Sequence, residues 1–119
     1  MRSLRFLALL TSVVAAPALA HHGWGWTDGG EFILTGTVAA ADLGNPHGVL
    51  TMAVNDETWT VEVGQPWRNA QAGLTDEMLA PGAELTVEGH RSADPAQLLM
   101  KAERLVIDGQ SYNLYPDRS

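Results

Sequence analysis

The chain has 119 residues, fourteen acidic side chains against seven basic ones, and no cysteine. Disulfides and thiolate metal sites are therefore excluded. An acidic surface of this kind repels phosphate backbones and anionic lipid, so neither nucleic acid nor a membrane surface is expected as a partner.

The first 20 residues read as an export signal. Arg2 and Arg5 give the positive start, residues 6–14 form an apolar run too short to span a bilayer, and Pro17 breaks the helix before the small-residue site Ala18-Leu19-Ala20. Cleavage after Ala20 predicts a periplasmic or secreted product that begins His21-His22. Nothing later in the chain is long or apolar enough to insert into a membrane. Losing the leader leaves five basic residues against fourteen acidic ones, a net charge of −9. The roughly 100 residues that remain suffice for one small domain. The expected division is a signal peptide over 1–20, a tail with candidate metal ligands over 21–30, a β domain over 31–115 and a short C-terminal tail over 116–119.

Residues 31–40 (EFILTGTVAA) alternate Phe32, Leu34 and Val38 as a strand, with Gly36 at a bulge or tight bend. Residues 48–54 and 58–63 form a hairpin around an Asn55-Asp56-Glu57 loop, with Trp59, Val61 and Val63 facing the core and Thr58, Thr60 and Glu62 facing away. A helical face of Leu74, Met78 and Leu79 follows, with Thr75 as N-cap and Pro81-Gly82 as the stop. Strands resume at residues 84–88 and 98–107, and Asp108-Gly109 turns into a last strand near 111–114. Three strands, a short helix and two or three further strands is the order of a small OB-like barrel of five to six strands. A small open sandwich is the competing architecture.

The chemistry concentrates at two places. A free amino-terminal His21 offers a primary amine and an imidazole nitrogen that together close a chelate ring on a metal ion, and copper(II) most favours such ligands. Asn45-Pro46-His47, between the first two strands, puts a second imidazole on a turn that proline stiffens. His21 and His47 would supply three nitrogens in a T-shaped histidine brace. His22 offers a different mode, in which the amine, its own amide and its ring bind copper together. Cleavage one residue earlier would create yet another square-planar site. Zinc is a weaker alternative, since three nitrogens and a water form an open tetrahedral site. The ordinary readings are a histidine pair that binds metal only opportunistically and a His47 that satisfies a backbone group. His90 reads as an exposed turn residue held in reserve. Met52, Met78 and Met100 read as core packing rather than thioether ligands. Trp24 and Trp26 are positioned to hold the tail on the barrel, Trp59 reads as core, and Trp67 as a plug under a loop.

The His-His start, the Leu34-Thr35-Gly36-Thr37-Val38 strand, the Asn45-Pro46-His47 turn, Trp59-Thr60-Val61-Glu62, Leu79-Ala80-Pro81-Gly82 and Leu85-Thr86-Val87-Glu88-Gly89-His90 together resemble a family of short exported bacterial proteins that share a domain of unknown function. The resemblance covers nearly all of the mature chain and implies that the paired histidines and the NPH turn are family marks, held here by His21, His22 and His47. The chain departs from the pattern in its tryptophan-rich segment after the histidines and in Ala83, where the family often has aspartate. The family brings no activity with it.

No nucleophile motif, phosphate loop or suitably paired carboxylates suggest an enzyme. The terminal histidine is shared with copper-dependent polysaccharide-cleaving enzymes, but a barrel this small offers little of their flat binding face. The leading expectation is an exported copper(II)-binding protein for capture or delivery, with a periplasmic protein as recipient. The alternative is an OB-like interaction module for a protein or small ligand, in which the histidines are incidental.

Overall fold

The computed structural model describes residues 23–118. Its strands are β1 (Phe32–Asp42), β2 (Val49–Val54), β3 (Glu57–Glu62), β4 (Glu84–Arg91), β5 (Leu99–Ile107) and β6 (Gln110–Asn113), with one helix, α1 (Pro66–Gln71), between β3 and β4. Five strands close a ring in the order β1, β2, β3, β5, β4 and back to β1, and β6 extends it from β5. All pairings are antiparallel except β3 with β5, which closes the barrel through Thr60↔Leu99, Val61↔Met100 and Glu62↔Lys101. The protein is an OB-like β-barrel.

Closure depends on a bend in β1, whose first half pairs with β4 and whose second half pairs with β2. At Gly36 the strand passes so close to β2 that a β-carbon would run into the Ala53 carbonyl. The expected bulge falls three residues on, where Ala39 is the extra residue between Val38 and Ala40. The β2–β3 turn is tighter than expected. Asn55 takes a positive φ of 53°, so Asn55-Asp56 suffices and Glu57 pairs with Val54 as a strand residue.

Alternation in every strand sends one side-chain set inward. Leu50, Met52, Val61, Val87, Met100 and Leu105 are shut off from water, with Trp59 beside them and its ring stacked on Phe32. Met78 is half-buried and packs against this core from the side.

The helix lies upstream of its expected position. Pro66 occupies its first turn, where a missing N–H costs nothing, and buried Asn69 fixes it by accepting from the Gly64 N–H (2.9 Å) and donating to the Gly64 carbonyl (3.0 Å). Residues 74–80 keep only a 3-10 turn at Glu77–Leu79. Leu74 and Leu79 are nevertheless buried. Gly73 and Gly82, both at positive φ, bound this segment, and its apolar spacing serves a loop folded onto the barrel. Trp67 consequently sits on α1 and is 56% exposed, with the Arg68 guanidinium over its ring, and does not plug a loop.

Leu50 has no exposed surface and lies among these inward residues. Leu50→Ala should lower unfolding free energy by about 2–5 kcal/mol in a denaturant titration.

Candidate metal-binding face

Outward positions in β3, β5 and β4 form a polar row across the barrel wall. Glu62 stands beside Lys101 in the parallel register, and Lys101 stands beside His90 in the antiparallel one. Such positions ordinarily face water. Here Glu62 and Lys101 are only 4% and 7% exposed, because both ends of the described chain lie over them.

The N-terminal end is held at three points. The Lys101 ammonium donates to the Gly23 carbonyl at 2.9 Å. The Trp24 ring meets His90 and Tyr115 edge-on, at 5.5 and 5.1 Å between centroids, with Lys101 and the Arg118 guanidinium on it at 4.8 and 3.9 Å. Thr27 then bridges to Ser92 at the end of β4, flanked by backbone bonds from Asp28 to Arg91 and from Ala93 to Trp26. Trp24 and Trp26 are separated by a turn, closed by the Thr27 N–H and hydroxyl on the Trp24 carbonyl, rather than by extended chain. From the C-terminal side, the amides of Leu114 and Tyr115 bond the Glu103 carbonyl, and Arg68 donates to the Leu114 carbonyl while lying over the Tyr115 ring.

His47 enters this face from the loop before β2. The Gly48 N–H donates to Gly64 and the Gly48 carbonyl accepts from Val63, zipping the β2 and β3 ends together. A side chain at residue 48 would stand 2.6 Å from the Val63 methyl, so only glycine allows this approach. The result puts His47 Nε2 3.3 Å from Glu62 Oε1 and His47 Nδ1 3.4 Å from the Gly48 carbonyl.

His90 is not the exposed turn residue that its position after Gly89 suggests. The register shift at Glu88/Gly89 lets β4 continue to Arg91, which turns His90 onto the covered face. Its Nε2 is 2.6 Å from Glu103 Oε1, which also accepts from Arg118 at 3.3 Å, and its Nδ1 has no hydrogen-bond partner. A cleft of about 440 Å³ opens beside it, bordered by Glu31, Glu103, Arg104 and Arg118.

Burial lowers the pKa of Lys101, against the opposing pull of Glu62, and the Arg118 and Arg68 charges push it the same way. Burial raises that of Tyr115, with Arg68 acting against it. Among the described residues, no three of His, Cys, Asp and Glu stand close enough to hold a metal by themselves. Of the candidate ligands His47 lies within the described residues, and His21 and His22 lie outside them. Glu62, Lys101, Glu103 and Tyr115 escaped the sequence reading, which took outward strand positions as solvated. A lysine inside the apolar run of residues 98–107 was the one available signal.

The chain belongs to the DUF6152 family. The family model matches residues 9–98, and the family's function is unknown. A search of curated proteins gives no match. The span matched to DUF6152 contains the histidine pair, the NPH turn, Glu62 and His90, whereas Lys101 and Tyr115 lie beyond it.

Lys101→Met keeps the apolar stem and removes the donor to Gly23. Hydrogen exchange at residues 24–28 should accelerate while the amides of β2 and β3 are unchanged. The unfolded chain binds more protons than the folded one between the lowered pKa and the ordinary lysine value of 10.5. Lys101 therefore makes stability rise with pH across that window, and the variant should lose this contribution to the slope.

Proposed function

We propose that this DUF6152 protein is exported, is cut after Ala20, and uses the freed His21 to bind copper(II) for capture or delivery to a periplasmic partner. One observation carries the reading: the barrel grips the carbonyl of Gly23, the residue after the histidine pair, with Lys101, whose register neighbour Glu62 touches His47. Consecutive α-carbons are ~3.8 Å apart, so His22 and His21 begin within ~4 and ~8 Å of Gly23. Only two residues separate the anchored Gly23 from the proposed amine of His21, and a tether that short would reduce the entropy lost if one ion binds there and at His47.

In this arrangement His21 chelates through amine and ring, His47 gives the third nitrogen, and His22 is an alternative ligand or orients the others. Zinc is the weaker occupant. No catalytic step is assigned to the protein. The alternative, a module for a protein or small ligand, is favoured by one observation: the exposed Trp67 borders a cleft of about 380 Å³ with Arg68, Gln71 and Pro116.

A copper(II) titration separates these readings. Protein beginning at His21 should bind one ion tightly with a nitrogen-rich paramagnetic resonance signal. One extra residue before His21 should replace that signal with that of the different square-planar site it creates, and His47→Ala should weaken binding by at least about tenfold, the scale on which loss of even a supporting group acts. Binding that ignores both changes would overturn the copper reading and direct the search to the Trp67 cleft.

The terminal amine has a reference pKa near ~8 and must lose its proton to coordinate. Affinity should therefore fall by up to about tenfold for each pH unit from that value down to ~6.5, and more steeply below it, where imidazole ligands also take up protons, read by calorimetry at several pH values.

A further inference from the structure

We infer that Glu62 is a ligand to the same ion as His47, and that its carboxylate makes the site select copper(II) over copper(I). The inference rests on the copper reading above and adds to it an oxygen donor and an oxidation-state preference.

The geometry begins with the imidazole. His47 Nδ1 lies 3.4 Å from the Gly48 carbonyl, an acceptor that a proton on Nδ1 satisfies. In the neutral ring Nε2 then presents a lone pair, and what it meets at 3.3 Å is Glu62 Oε1, which is also an acceptor. Two acceptors at this distance are bridged by a proton or by a metal ion. Metal bonds of ~2.0–2.2 Å to nitrogen and oxygen, meeting at between a right angle and a tetrahedral angle, separate the two donor atoms by ~2.8–3.6 Å. The observed spacing falls within that range.

Electrostatics point the same way. Lys101, Arg68 and Arg118 all stand close enough to influence one another at this face. An ion held only by neutral nitrogens would meet three positive charges in a site shielded from water. Glu62, 4% exposed, brings the one negative charge that contacts His47. A carboxylate oxygen is a hard donor. It favours the divalent ion and gives little to copper(I), which prefers soft sulfur ligands.

The experiment uses mature protein beginning at His21, carrying glutamate labelled with carbon-13 at the side-chain carboxyl and loaded with copper(II). Electron–nuclear double resonance should show a carbon-13 coupling that disappears in Glu62→Gln. Glu62→Gln should also weaken copper(II) binding at least about tenfold, while copper(I) affinity, read by competition with a chromophoric chelator, stays within about threefold of wild type.

Absence of the coupling in wild-type protein, a result that needs no variant to fold, would overturn the assignment and leave His47–Glu62 as a proton-bridged pair. Equal loosening of both oxidation states would likewise overturn it, as the mark of a purely structural Glu62. The copper reading has its own check in the extra residue before His21. If that residue reshapes the copper signal and the coupling is absent, Glu62 alone is excluded. If the coupling is present and the residue has no effect, the terminal histidine is excluded and Glu62 stands.

Discussion

The parallel pairing of β3 with β5 is the constraint on which the rest of the molecule depends. Three residue pairs close the ring, and closure removes two open edges that would otherwise invite pairing with other chains. The same register sets Glu62 beside Lys101, so the contact that completes the core also builds the polar row outside it. A slip by one residue would turn Val61 and Met100 outward and the two charges into the apolar interior. The hydrophobic pattern therefore enforces the position of the charged pair.

Buried charge at a barrel wall is not a source of stability by itself, since desolvation consumes most of what pairing gains. What makes the row tolerable is the aromatic and backbone cover laid over it. The Trp24 and Tyr115 rings lie against the lysine ammonium, Arg118 and Arg68 lie on those same rings, and the Gly23 carbonyl accepts a hydrogen bond from the ammonium. The five basic residues of the 23–118 segment are all engaged in this way or on nearby partners: Arg91 lies over Phe32 and Trp59, and Arg104 bonds Glu88. Fourteen acidic side chains outnumber these five, and the long-range field of the excess favours cations.

Much of the barrel was legible because strands declare themselves by period two. Leu34 and Val38, Leu50 and Met52, Trp59 and Val61, and Leu85 and Val87 all point inward as their alternation requires. The helix was misplaced because Leu74, Met78 and Leu79 have helical spacing, yet that spacing serves equally a loop whose leucines reach the core. Asn69 gives α1 its anchor through two bonds to Gly64, and no periodicity announces such a contact. The Asn45-Pro46-His47 turn was visible as a motif. Its partner Glu62 was read as facing solvent, because alternation says which way a side chain points and not what lies above it.

What the sequence determined by itself is local. The alternating strands, the tight turns at Asn55 and Asp108, the absence of thiolate ligands and the family motifs are all properties of neighbouring residues, governed by short-range sterics and side-chain chemistry. Tertiary structure alone decided which outward positions are dry. Glu62 and Lys101, 39 residues apart, and Lys101 and His90, 11 apart, become neighbours only through register, and Gly23 and Tyr115 come from opposite ends of the described chain to cover them. Burial of a polar group depends on segments distant in sequence arriving at one place, and that arrival is a property of the closed barrel.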